Sequence, residues 1–141
     1  MNQIRSAQNA ATLLRLALGT MYLSHGLLKL MVFTPAGTSG FFASIGLPAF
    51  LGTVVMVAEI AGGLALLLGF YSRAVVAALL PVLIGSIFFV HGSSGWVFSN
   101  DGGGWEYPLF LAVASVVQYF LGDGIYSIRS TLSENYSLQK A

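Results

Sequence analysis

The 141-residue chain is 56% hydrophobic and only 8% charged, whereas a soluble domain carries roughly 25% charged side chains, so an ordinary water-exposed surface is excluded. A net charge of +1 without a basic cluster excludes a nucleic-acid-binding protein, and the lack of cysteine excludes disulfides and thiolate metal sites. We therefore expect an integral membrane protein whose partners are membrane lipids, apolar ligands or other membrane subunits.

Four apolar runs are each long enough to cross the ~30 Å hydrocarbon core of a bilayer as a helix. They cover about 11–33, 47–70, 73–91 and 107–122 and make a single domain, 1–141. They lack the alternation of hydrophobic and polar residues that is typical of barrel strands. The sequence predicts an all-α, integral membrane, antiparallel four-helix bundle.

Basic residues near the ends of these runs predict the orientation. Most of them fall on one side of the membrane: Arg5, Arg15, Arg73, Arg129 and Lys140. Cytoplasmic loops are enriched in Lys and Arg, so we place both termini in the cytoplasm. Arg15 interrupts the first run, which argues against a cleaved signal peptide, and we expect its long side chain to reach the cytoplasmic headgroups.

A polar stripe runs along the first predicted helix. It consists of residues that share one face at helical spacing: Arg15, Gly19, Tyr22, Gly26 and Lys29. His25 lies one turn before Lys29, on nearly the same face. Charged groups inside a bilayer are costly, so this stripe should face the interior of the bundle.

Glu59, in the second run, should lie at the same depth as His25. At ~1.5 Å per helical residue, Glu59 lies roughly 14 Å below Phe50 and His25 roughly 12 Å below Phe33. The flexible Lys29 can reach the same level, so the sequence predicts a buried cluster of His25, Lys29 and Glu59. Two interpretations stay open: a structural group that joins the first two helices, or a ligand- or proton-binding site.

Small residues and a proline mark the second and third predicted helices. Ala58, Gly62 and Gly69 offer a face for close helix contact. Pro81 falls midway along the third helix and should bend it, either as a packing kink or as the wall of a cavity.

His91 ends the third predicted helix and Glu106 begins the fourth, which makes both secondary candidates at the outer face. As alternatives, Glu106 is explained by stabilisation in the first turn of a helix, and His91 as an interfacial hydrogen-bonding residue. Joint haem ligation by His25 and His91 is not expected, because His25 should lie ~12 Å deeper. The sequence contains no phosphate loop, nucleophile elbow or zinc motif, so it offers no metal site, no intrinsic cofactor site and no identifiable catalytic residue.

In their order and spacing these residues resemble the DoxX family of small bacterial membrane proteins, from about Leu13 to Ile128. The matching elements are Arg15…Gly19…His25-Gly26-x-x-Lys29, Glu59-x-x-x-Gly63, Gly69-x-x-x-Arg73 and, as in a subset of the family, His91 and Gly-Gly-Gly-Trp-Glu-Tyr-Pro at 102–108. The resemblance implies a multi-pass protein of the bacterial inner (cytoplasmic) membrane. Some relatives are small subunits of quinone-linked oxidoreductases, and others are parts of membrane oxidoreductase complexes.

Three functions agree with these observations. The first is a quinone-associated accessory subunit of a membrane oxidoreductase system, in which His25, Lys29 and Glu59 contact a bound quinone and a partner subunit supplies the redox chemistry. The second is a small-molecule transporter or permeation protein, which should act as a homo-oligomer because four helices leave little room for a lumen. The third is a structural or assembly subunit without chemistry, in which Arg15, Arg73 and the buried cluster fix the helices.

Overall fold

The computed structural model describes residues 3–129, and these contain helices, turns and loops but no strand. The helices are α1 (Gln3–Met31), α2 (Thr34–Ser44), α3 (Phe50–Leu68), α4 (Ser72–Ser86) and α5 (Glu106–Leu121). After Ser86, α4 continues as a π-helix, Ile87–His91, and a 3-10 turn, Gly92–Ser94. The all-α prediction is confirmed for these residues, whereas our prediction about Lys140 falls outside them.

Two of the described helical segments are long and apolar enough to cross a membrane, Phe50–Leu68 and Ser72–Ser94. Helices α1 and α2 together form a third candidate, bent by 100° at the break between them. Helix α5 is apolar but shorter, at 16 residues. These lengths support a membrane protein with two or three spans, while four crossings and cytoplasmic termini stay predictions.

Helix α2 lies between the first two predicted runs, where no helix was expected from the sequence. Thr34, with a φ of 62°, reverses the chain, and Pro35 occupies the first turn, where a missing N–H is tolerated. The hydroxyl of Thr38 donates to the carbonyl of Lys29 at 3.2 Å. A Cβ added to Gly52 of α3 would lie 2.9 Å from the Thr38 carbonyl oxygen. Helix α2 therefore packs closely on α3, next to the end of α1.

Helices α1 and α3 approach each other through glycine. A Cβ on Gly63 would lie 2.5 Å from the backbone nitrogen of Leu23, and one on Gly26 would lie 2.9 Å from that of Ile60. Contacts this short mean that the two backbones touch directly, which small residues permit in membrane helices. Most of the predicted polar stripe is buried in this contact, as expected: Arg15, Gly19, Tyr22 and Gly26.

The small-residue face predicted on α3 contacts more than one helix. A Cβ on Gly62 would lie 2.6 Å from the side chain of Leu79, so this glycine permits the contact with α4. The core that joins α1, α3, α4 and α5 is apolar: Leu18, Tyr22, Leu66, Val76, Leu79, Leu83, Ala112 and Ala114. Within it the Tyr22 hydroxyl lies 3.0 Å from the Ser115 hydroxyl, which links α1 to α5.

Arg15 does not reach the headgroups, so that prediction is wrong. Its side chain is only 1% exposed, and its guanidinium donates to the carbonyls of Leu66 at 2.7 Å, Leu67 at 3.2 Å and Tyr126. Carbonyls in the last turn of a helix have no intrahelical partner, and a cation there interacts favourably with the helix dipole. Arg15 therefore caps the end of α3.

Replacing Arg15 with Met should lower the free energy of unfolding by about 2 to 3 kcal/mol, because the carbonyls of Leu67 and Tyr126 lose a charged donor and that of Leu66 keeps only the backbone N–H of Gly69. Denaturant titration in lipid–detergent micelles measures this loss. Arg73→Met is the matched control, since Arg73 is exposed and makes one bond, at 3.3 Å, to the Phe120 carbonyl. Equal losses in the two variants would contradict a capping role for Arg15.

Candidate functional site

An ion pair joins α1 to α3 inside the protein. The ammonium nitrogen of Lys29 lies 2.8 Å from Oε2 and 3.1 Å from Oε1 of Glu59. The two side chains are 19% and 6% exposed, respectively. Lys29 lies in the last turn of α1 and Glu59 midway along α3, so the estimate of helical depth brought together the right pair.

The Lys29 ammonium retains unused hydrogen-bonding capacity. An ammonium has three N–H groups and no acceptor. Within residues 3–129 its hydrogen bonds go only to the two oxygens of Glu59. A third acceptor, supplied by a ligand, can therefore bind Lys29 without breaking the ion pair.

His25 lies apart from this pair instead of completing a hydrogen-bonded cluster. Its ring stacks beside Tyr107 of α5, with 6.3 Å between the ring centroids and 28° between the planes. Neither ring nitrogen makes a hydrogen bond within the described part of the chain. The Tyr107 hydroxyl has a weak partner, the sulfur of Met21 at 3.7 Å. The expected group of three is thus an ion pair with a separate histidine–tyrosine pair.

The loop between the 3-10 turn and α5 contacts both His91 and Glu106, but in different ways. Nδ1 of His91 lies 2.8 Å from the carbonyl oxygen of Gly103 and 3.2 Å from that of Gly102. Glu106 accepts a hydrogen bond from the backbone N–H of Phe98 at 2.6 Å. That contact and the position of Glu106 in the first turn of α5 indicate that this residue orders the loop.

A cavity of about 900 Å³ lies among the five helices. Its polar lining includes two histidines, the ion pair and a tyrosine: His25, Lys29, Glu59, His91 and Tyr107. The rest is largely apolar and includes Pro81, which agrees with the cavity-wall interpretation of that residue. Among residues 3–129 no group of three or more His, Cys, Asp or Glu side chains could hold a metal ion.

Sequence reasoning missed two parts of this cavity. One is the α2 wall, which contributes Phe41, Phe42 and Ile45. The other is Tyr107, which was not predicted as a site residue. Its place beside the candidate Glu106, at the start of a predicted helix, was the available signal.

Comparisons with known proteins agree with the family resemblance. The family model described as DoxX matches residues 10–92, a stretch that includes His25, Lys29, Glu59 and His91. The Bacillus subtilis (strain 168) protein named "Putative oxidoreductase CatD" is 36% identical over 86 residues, which is 61% of this chain and 63% of that protein. The match thus spans less than two thirds of that relative. No solved structure matches the chain.

Proposed function

The chain belongs to the DoxX family, and from that premise we propose that it is a quinone-associated accessory subunit of a membrane oxidoreductase system. The observation that carries the proposal is the apolar cavity with the Lys29–Glu59 ion pair in its wall. The name of the B. subtilis relative points in the same direction. In this proposal the chain binds and orients the quinone, and the partner subunit exchanges electrons with it.

The residues of the cavity fit a quinone. Such a ring is flat and apolar and has oxygens at opposite ends, so its site needs apolar walls and a few hydrogen-bonding groups. Ligand pockets measure roughly 300 to 1,000 Å³, a range that includes this cavity of about 900 Å³. Lys29 offers a donor to one ring oxygen, and the bound quinone supplies electron-carrying capacity that the chain's own side chains lack.

The ligand reaches the cavity from the bilayer, between α2 and α4. Phe41 of α2 and Phe89 of α4 both line the cavity, yet they are 46% and 54% exposed on the outside of the chain. Gly85 of α4 also lines it, and a Cβ there would meet nothing within 4 Å. Apolar residues that are both exposed and cavity-lining form a path that an isoprenoid chain can follow without crossing water.

Filling the cavity should displace the quinone. We expect Gly85→Leu to reduce the quinone that co-purifies with the protein about tenfold or more, equivalent to ~1.4 kcal/mol of binding. Mass spectrometry of protein extracted gently from its native membrane measures the quinone per chain.

Gly40→Leu on α2 is the matched control. Gly40 does not line the cavity, and a Cβ there also meets nothing within 4 Å. The same quinone content in both variants would contradict the proposal.

The cavity is also relevant to transport, the second candidate function, because it lies within one chain. We expected a lumen for transport to require a homo-oligomer. If only phospholipid co-purifies with the protein, and the particle is a homo-oligomer, transport replaces quinone association as the better proposal.

The proposal includes four membrane crossings, with both termini in the cytoplasm of a bacterial inner membrane. α1, α3, α4 and α5 are the crossing helices, and α2 lies against α3. The bias of Lys and Arg toward one side supports this orientation.

A further inference from the structure

The loop before α5 holds His91 in one tautomer. Nδ1 lies within hydrogen-bonding distance of two backbone carbonyl oxygens, 2.8 Å from that of Gly103 and 3.2 Å from that of Gly102. Carbonyl oxygens only accept hydrogen bonds, so Nδ1 must hold a proton and donate it. In the neutral ring, Nε2 then has the lone pair and acts as an acceptor.

Two left-handed glycines make this arrangement possible. Gly102 has a φ of 82° and Gly103 a φ of 72°, which L side chains rarely adopt. A Cβ on Gly103 would lie 3.4 Å from Nδ1 and 3.5 Å from Cε1 of His91, so that edge of the ring faces the loop. His91 lines the cavity, and Nε2 is the ring nitrogen that is not bonded to the loop. Within residues 3–129 Nε2 has no hydrogen-bond partner.

The cavity lining therefore contains one group that donates hydrogen bonds and one that accepts them. The Lys29 ammonium can only donate a hydrogen bond, and His91 Nε2, in the tautomer fixed by the loop, can only accept one. Any oxygen of a quinone-type ring, protonated or not, can accept from the first group, whereas of these oxygens only a hydroxyl can donate to the second.

We infer that His91 selects the reduced, dihydroxy form of the quinone-type ring that the proposed function places in this cavity. A hydroxyl of the reduced ring donates to Nε2, while another oxygen of the ring accepts from Lys29. The oxidised ring has only carbonyl oxygens, which cannot donate to Nε2, so two acceptors face each other without a proton between them. Changing the tautomer would break the bonds to Gly102 and Gly103, so this conflict holds for the neutral ring.

Paired binding measurements test this selectivity. The full chain in lipid nanodiscs is titrated calorimetrically, without oxygen, with a short-chain benzoquinone and with the corresponding hydroquinone. We expect the wild type to bind the hydroquinone about tenfold more tightly, equivalent to the ~1.4 kcal/mol of one hydrogen bond.

In His91→Phe the two affinities should become about equal, because the hydroquinone loses its acceptor and binds more weakly, while the quinone no longer faces an unpaired acceptor and binds at least as tightly as to the wild type. In His91→Gln, whose amide oxygen can accept a hydrogen bond, part of the preference should remain. Gly40→Leu, which lies outside the cavity at a position where a Cβ meets nothing within 4 Å, is the control and should leave both affinities unchanged.

The outcomes separate this inference from the proposed function. If His91→Phe weakens both forms equally, or if the wild type binds both equally, His91 does not select between them and the inference is overturned, while quinone association stands. If the wild type binds neither form, the proposed function fails as well. Quinone binding at least as tight as that of the wild type also shows that a His91 variant is folded.

Discussion

Replacing Lys29 with Met should destabilise the protein by about 3 to 5 kcal/mol, because it leaves the Glu59 carboxylate buried without its cation. That carboxylate is 6% exposed, and within the described residues Lys29 is its only hydrogen-bond partner. Unfolding by a graded denaturing detergent in lipid micelles gives the loss of free energy. A loss near zero would show that the ion pair does not contribute to stability.

The double variant Lys29→Met/Glu59→Met distinguishes the two interpretations of the pair. Two apolar side chains of similar volume often replace a buried ion pair without loss, so most of the stability should return. The quinone content of this stable protein then decides between them. Lost quinone means that the pair contacts the ligand, and retained quinone means that it only joins α1 to α3.

Gly63→Leu should prevent α1 and α3 from packing and cost about 3 kcal/mol or more, at the upper end for overpacked sites. Even a Cβ at Gly63 would lie 2.5 Å from the backbone nitrogen of Leu23, and a helix backbone cannot move aside as a flexible side chain can. The same denaturant titration, with the yield of folded protein, measures the effect.

Gly85→Leu is the control for this second variant, because it adds the same side chain to a helix where a Cβ meets nothing within 4 Å. Its stability should equal or slightly exceed that of the wild type, since leucine favours helix more than glycine does. If both variants were equally stable, the close contact between α1 and α3 would be refuted.

The long helices could be predicted from the sequence, but α2 could not. Apolar runs of about 20 residues identify membrane helices directly. The 11 residues of α2 include Pro35, Gly37 and Gly40, which usually mark turns and loops. A helix this short depends on tertiary packing, here against α3, and packing partners cannot be read from local sequence.

The candidate site could be predicted from the sequence only in part. Lys29 and Glu59 were paired correctly because depth along a helix follows from residue number. Depth does not give the direction of a side chain, so His25 was grouped with them although it stacks on Tyr107. The partners of Arg15 and His91 are backbone carbonyls, which every residue has, so no residue type marks them in the sequence.

The contacts of Arg15 and Lys29 also restrict how this protein can move. Arg15 binds the last turn of α3 and Lys29 binds Glu59 midway along the same helix, with the glycine contact between them. Sliding α1 by one helical turn, ~5.4 Å, would break both attachments at once. The two helices must therefore shift as a rigid unit. Any widening of the cavity during ligand exchange then requires α2, α4 or α5, which also line it, to move relative to this pair.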